Sequence, residues 1–155
     1  MERKSVKLEV LIAAQNIGST DELPPVADQI LTSGCDAVLI NQSLKEPKLK
    51  SPSQNLRIFS YPESGISKSR NRALEHAEGD LLLVTDDDVE LLDGFSETIV
   101  EAFRKNPEAD IITFQCLNER GEKRKNYSDR SFWHNLRTLM QVSSVEIVIR
   151  HASLV

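Results

Sequence analysis

Asp86-Asp87-Asp88 places three consecutive carboxylates directly after the apolar run Leu81-Leu82-Leu83-Val84-Thr85. Such a run reads as a buried strand, and three adjacent negative charges at its end repel one another. A divalent cation relieves that repulsion. Magnesium and manganese take oxygen ligands, and a magnesium site commonly joins one or two carboxylates to substrate phosphates. The triplet therefore predicts Mn²⁺ or Mg²⁺ together with a phosphorylated ligand. A lone Asp at a strand end would read instead as a turn residue or helix cap; three in a row favour the metal.

The stretch Ser64-Gly65-Ile66-Ser67-Lys68-Ser69-Arg70-Asn71-Arg72-Ala73-Leu74 supplies the opposite charge. It opens a helix, whose first backbone N–H groups and positive dipole end favour an anion. Lys68, Arg70 and Arg72 crowd the first two turns, where cations oppose the dipole, and residues 68 and 72 share a face. An Arg here holds a diphosphate or pairs with the Asp triplet in the next strand's loop. The plain alternative is a basic helix start with solvated charges.

Positioning these segments requires an alternation of strands and helices. Val6 to Ala14 reads as a first strand, followed by a helix that Pro24-Pro25 can open and Gly34 can stop, with Val26, Ile30 and Leu31 inward. Asp36 to Asn41 and Leu56 to Tyr61 are the second and third strands, separated by an exposed loop over 42–55. Ser64 or Ser67 caps the basic helix, which runs to about Ala77 with Gly79 just past its end. Leu81 to Thr85 is the fourth strand. Asp93 caps a helix through Lys105 that Pro107 terminates. Asp110 to Cys116, a helix over Arg130 to Val142 and a strand over Val145 to Arg150 complete the pattern. The predicted fold is α/β, with a mostly parallel sheet flanked by helices. In such sheets ligands bind at the carboxyl ends of strands, where the triplet lies.

The 155 residues suffice for one domain, 1–155, with a real core. A net charge of −5 argues against nucleic acid as a partner. No apolar stretch approaches about 20 residues, so no transmembrane segment is expected. Lys7 and Glu9 interrupt the N-terminal apolar run, which leaves no secretory signal core. Cys35 and Cys116 are too few and too scattered for a disulfide framework or zinc site. They read as buried thiols in a reducing compartment, so the expected location is cytoplasmic, with peripheral placement at the inner face of the membrane as its variant. His76, His134 and His151 lack ligand-like spacing, and Phe132-Trp133 reads as core or interface.

An N-terminal apolar strand, then Gly65-Ile66-Ser67-Lys68-Ser69-Arg70-Asn71-Arg72-Ala73-Leu74, then a strand into Thr85-Asp86-Asp87-Asp88-Val89, resembles family 2 glycosyltransferases of the GT-A fold. The resemblance is continuous from Gly65 to about Gln115, and Val6 to Asn16 supports it more loosely. It implies a GT-A-like domain that binds a nucleotide-diphosphate sugar, with UDP favoured, and transfers the sugar to a saccharide or lipid-linked acceptor with inversion. It further implies that Ala13, Ala14, Gln15 and Asn16 touch the base and ribose. Ser67 and Arg70 belong to the donor site, Asp86 meets the ribose or sugar and the metal, and Asp88 is the principal metal ligand. Asp87 takes the variable middle position beside the donor, as a solvated neighbour. An acidic residue commonly closes the family's second strand and contacts uracil; Asn41-Gln42 stands there instead.

Family members take a general base for the acceptor hydroxyl from a later Asp or Glu. The resemblance covers the donor half and stops near Val155, so the acceptor half is expected to be missing. Glu146 is the only late acid near the end, and its place in an alternating strand predicts a salt-bridge or surface role. No catalytic residue is therefore assigned. A non-catalytic nucleotide-sugar-binding domain is the main rival. The pattern at Leu82 to Asp88 also resembles the nucleophile motif of haloacid-dehalogenase phosphatases, although it lies mid-chain and carries Glu90 where a small residue is expected. A sheet cut at its last strand would expose an edge or apolar face, which predicts a homodimer.

Overall fold

The computed structural model describes residues 5–45 and 47–154. Its elements run β1 (Leu8–Gln15), α1 (Pro25–Ser33), β2 (Asp36–Gln42), β3 (Leu56–Tyr61), α2 (Ile66–His76), β4 (Leu81–Asp86), α3 (Phe95–Lys105), β5 (Ile111–Thr113), α4 (Leu136–Leu139) and β6 (Ile147–Arg150). They form one six-stranded sheet of order β3-β2-β1-β4-β6-β5. β1, β2, β3 and β4 are parallel, while β6 runs antiparallel to both β4 and β5. The expected mostly parallel α/β sheet is what the chain forms.

Period-two alternation along the strands divides the core into two layers. On one face Leu8, Val10, Ile12 and Ala14 of β1 meet Val26, Ala27 and Ile30 of α1 and Ile99 and Phe103 of α3. On the other, Leu11, Val38, Ile40 and Leu82 pack against Ala73 and Leu74 of α2. β1 is buried on both faces because helices cover both, which is why it reads as a continuous apolar run. The exception is Glu9, only 1% exposed. Its carboxylate accepts from Arg57 Nη2 at 2.7 Å and from the backbone N–H groups of Glu78 and Gly79 at 2.6 and 2.9 Å. That network ties β1, β3 and the start of β4 together at the end of the sheet away from the Asp triplet.

Several local expectations change. α2 begins after Gly65, at φ 122°, and α3 after Gly94, at φ 74°, so glycine in place of the expected Ser64, Ser67 or Asp93 takes the cap position. Gly79 is not a helix terminator: a Cβ there would lie 2.6 Å from the Cβ of Glu9, so close approach of two backbones requires the glycine. The fifth strand is confined to Ile111–Thr113: Phe114 N still bonds the Glu146 carbonyl in register at 2.8 Å, but Glu146 lies in a 3-10 turn and Cys116 N turns to the Tyr127 hydroxyl at 3.0 Å. Of the helix expected over 130–142 only Leu136–Leu139 forms. Asn135 caps it, accepting from the backbone of Arg137 and Thr138 at 3.0 and 3.1 Å, an alternative to continued helix on its N-terminal side. The last strand is not an edge. β6 lies between β4 and β5, and the edges are β3 and the three-residue β5.

Candidate functional site

β1 and β4 are neighbours whose carboxyl ends lie where the strand order reverses, β1 leading toward β2 and β3 and β4 toward β6. Parallel strands diverge into their loops at such a point and leave a crevice. Register places Ala13 opposite Asp86. A cavity of about 290 Å³ opens there. Ala13, Ala14 and Gln15 of β1 and Gln42 of β2 form one wall, Ile66 and Ser69 of α2 a second, and Asp86, Asp87 and Asp88 the third.

The β4 strand and the start of α2 therefore meet as the charge pattern requires. Arg70 Nη2 donates to Asp86 Oδ1 at 2.9 Å, with both side chains roughly a third exposed or less. Of the two arrangements open to an Arg here, the ion pair with the triplet is the one formed. Arg72 turns away: it pairs with Glu63 and Glu75 and lies 4.6 Å over the Tyr61 ring. Asp86 and Asp87 are half-buried and Asp88 is exposed. Burial, reinforced by the Asp88 and Asp86 charges, pushes the Asp87 carboxyl above its ordinary range, against hydrogen bonding from its own backbone and that of Gln15. Asp87 is thus partly desolvated rather than simply solvated, with the neighbouring Asp88 charge adding to the effect of burial.

Among the remaining candidates, Asn41, Asn16, Ser67 and Arg70 do not line the cavity. Asn41 is fully buried. It holds the loop after β1, donating to the Ile17 carbonyl at 2.9 Å and accepting from Ile17 N at 3.0 Å. Gln42 clamps Gly65 in the same two-sided way, with both bonds at 3.1 Å, while contributing to the cavity wall. Asn16 adopts φ 56°, a left-handed conformation that Asn tolerates, and its N–H bonds the Gln42 carbonyl at 3.1 Å. Ser67 is exposed on α2. Ile66 and Ser69 went unrecognised as wall residues, although Ile66, Ser69 and Ala73 share one helical face by spacing.

Glu146 lies elsewhere. It is 3% exposed, within a 3-10 turn rather than a strand, and pairs with Lys125 at 2.8 Å. The expected salt bridge exists, but it is buried rather than superficial. Among the described residues, no carboxylate other than the triplet lines the cavity. Desolvation, with the Asp36 charge second, pushes the Cys35 thiol up to about 11, which makes it a poor nucleophile.

The donor type fits a hard divalent cation, since carboxylate oxygens of three consecutive residues line one wall. Among the described residues no three His, Cys, Asp or Glu side chains converge as a metal-binding group. Ligand oxygens such as those of a diphosphate would have to complete the coordination.

A mostly parallel sheet of order β3-β2-β1-β4-β6-β5, with a carboxylate-lined crevice at its switch point, defines a doubly wound α/β domain. The sequence matches the family model described as glycosyl transferase family 2 over residues 8–154, and the chain belongs to that family. No curated protein sequence matches it. Among solved structures, the fold is similar to S. aureus TarS 1–349 at 16% identity and a TM-score of 0.59, covering 96% of this chain and 48% of that one. TarS 1–349 in complex with UDP-GlcNAc is similar at 17% identity and a TM-score of 0.56, covering 96% and 46%. S. aureus TarS in its longer form aligns at 17% identity and a TM-score of 0.59, covering 96% and 29%. The chain thus spans about half or less of the structures it matches. Among the described residues no helix is long and apolar enough to cross a membrane.

Proposed function

We propose that the cavity binds a nucleotide-diphosphate sugar, with UDP as the favoured nucleotide, and that the family's transfer reaction proceeds from it to a saccharide or lipid-linked acceptor with inversion. The observation that carries this reading is the meeting of the Asp86-Asp87-Asp88 wall with the N-terminal turn of α2 at the switch point. Ala13, Ala14 and Ile66 offer apolar walls for a nucleoside. Arg70, fixed by Asp86, places a cation at the carboxylate wall. Asp88, with Asp86, would hold Mn²⁺ or Mg²⁺, which when bound supplies Lewis-acid stabilisation of a departing diphosphate. TarS structures are described in complex with UDP and with UDP-GlcNAc, which supports the choice of a UDP-sugar.

Calorimetry with UDP-, GDP- and dTDP-sugars, with and without Mn²⁺, tests the reading on wild type and Asp88→Ala. Binding is expected to prefer UDP, to require Mn²⁺ and to be lost in Asp88→Ala. Binding that ignores both metal and Asp88 would overturn the metal-bridged diphosphate. A second reading, donor binding without turnover, is favoured by the engagement of Glu146 with Lys125 and Tyr127; donor binding without hydrolysis or transfer would support it.

The reading extends to location and partners: a cytoplasmic protein held peripherally at the inner face of the membrane. Between 116 and 142 six cations face three acids, in a chain of net charge −5. The same stretch exposes Phe132, Trp133, Leu136, Leu139 and Met140. Cations beside exposed aromatic and aliphatic side chains suit an anionic lipid surface. Self-pairing along the short β5 edge, where Ile111 is exposed, is the homodimer reading.

A further inference from the structure

Two buried side-chain polar atoms lack a hydrogen-bond partner among the described residues, Ser69 Oγ and Arg70 Nε, and they are adjacent in sequence. Native structures pair nearly all buried polar atoms, so two orphans side by side need a cause. Ser69 is 1% exposed and forms part of the cavity wall.

A serine buried within a helix, cut off from solvent, has the carbonyl four residues earlier as its local acceptor. For Ser69 that carbonyl is Gly65. It already accepts twice, from the Ser69 N–H at 3.1 Å and from Gln42 Nε2 at 3.1 Å. A carbonyl oxygen has two lone pairs, and both are engaged. The Gln42 clamp thus removes the acceptor that would turn the hydroxyl inward, and leaves it without an acceptor among the described residues.

We infer that Ser69 is a ligand-reading residue, whose hydroxyl donates to an acceptor oxygen of the bound nucleotide, with Gln42 as the positioning residue that keeps it available. The inference rests on the nucleotide-sugar reading above, and extends it to a residue outside the carboxylate motif. It has a consequence of opposite sign in the free and bound protein. Without ligand the unpaired hydroxyl is a burden, so Ser69→Ala should hold or raise stability. With ligand the lost hydrogen bond should weaken binding.

Calorimetry with UDP and Mn²⁺, together with thermal melts of the unliganded protein, tests this. Ser69→Ala is expected to raise Tm by about 2–4 °C, or leave it unchanged, and to weaken UDP binding about 5–10-fold. Ser69→Cys keeps the shape and weakens the donor, so its affinity should fall nearly as far. Ser69→Ala melting several degrees lower with UDP affinity unchanged would show a packing role and overturn the assignment. So would wild-type affinity in both variants. Failure of wild type to bind any nucleotide sugar is a separate result: it overturns the site reading itself, and Ser69's role with it.

Discussion

Replacing Glu146 distinguishes an architectural carboxylate from a catalytic one. Its carboxylate accepts from Tyr127 Oη at 2.6 Å, from Lys125 Nζ at 2.8 Å and from Ser143 N at 3.1 Å. Desolvation pushes its pKa up, but the bonds from Lys125, Tyr127 and Ser143 and the Lys125 charge outweigh that, and the net displacement is downward. A carboxyl with a depressed folded pKa contributes stability that is present above its unfolded pKa and lost as pH falls through the folded value. Glu146→Ala leaves three donors without their acceptor. Breaking a buried ion pair costs about 3–5 kcal/mol. Because the Lys125 side chain is 32% exposed, water screens part of the loss, and about 3 kcal/mol is expected, the lower end of that range. Glu146→Gln keeps an acceptor oxygen and loses the charge, for about 1–2 kcal/mol. Urea unfolding at neutral pH should show both losses. In wild type the contribution should fade below the ordinary glutamate value of 4.5, and Glu146→Gln should flatten that acid limb. Unchanged urea midpoints and an unchanged acid limb would refute the structural role. If sugar transfer were also abolished with donor binding intact, Glu146 would be the missing base.

Three further outcomes are expected. Gly79→Ala drives a Cβ to 2.6 Å from the Cβ of Glu9, a contact no rotamer relieves, and should cost about 2–3 kcal/mol by urea unfolding while leaving donor affinity near wild type. Asp87 has a raised folded pKa, so its contribution is present below its unfolded pKa and lost as pH rises through the folded one. Asp87→Asn should therefore raise the Tm of the unliganded protein at neutral pH, with the gain vanishing below the ordinary aspartate value of 3.8; an equal gain at both pH values would contradict the electrostatic cause. Trp133 is the chain's single tryptophan and is 68% exposed. Its emission should shift to the blue with phosphatidylglycerol vesicles and not with phosphatidylcholine. A shift that follows protein concentration instead, with a doubled mass in light scattering, would favour the homodimer.

The sheet was legible because β1, β2 and β4 are covered on both faces and read as apolar runs, broken within β1 by Glu9. Its order was not, since strand adjacency depends on contacts between distant segments. The helix expected over 130–142 shrank to Leu136–Leu139 because Leu136, Leu139 and Met140 face outward, with no core to extend it, and Asn135 starts the helix late. The triplet was legible from charge conflict alone, and so was the possibility that an Arg of the basic helix pairs with it; the family resemblance singled out Arg70, and only the fold makes Asp86 its partner. Ser69 was not. Its significance comes from a carbonyl already engaged by Gln42, a residue from another strand, and no local pattern records that. Glu9 had a visible anomaly, an acid inside an apolar strand, but only the fold brings Arg57 and the Gly79 backbone to it.

The two ends of the sheet differ in how their buried polar groups are treated, and the difference separates stability from function. At the amino end of β4, Glu9 is buried, and its carboxyl oxygens accept from Arg57, Glu78 and Gly79. At the carboxyl end, burial and the Asp88 and Asp86 charges push Asp87 above its ordinary range, beside a hydroxyl and a guanidinium nitrogen that have no partner among the described residues. A fold optimised for stability alone would keep neither feature, because removing Ser69 Oγ or the Asp87 charge is expected to help it. A cation with a nucleotide diphosphate would relieve both features together: the cation the repulsion, the nucleotide oxygen the hydroxyl. Ligand at a hundredfold excess over its Kd stabilises a protein by about 2.7 kcal/mol whatever the site looks like. What distinguishes this site is the metal dependence of that gain. UDP with Mn²⁺ should raise Tm well above the sum of the two alone, and Asp87→Asn should start higher and gain less. Equal gains in wild type and Asp87→Asn would mean that the strain at the triplet is incidental to binding.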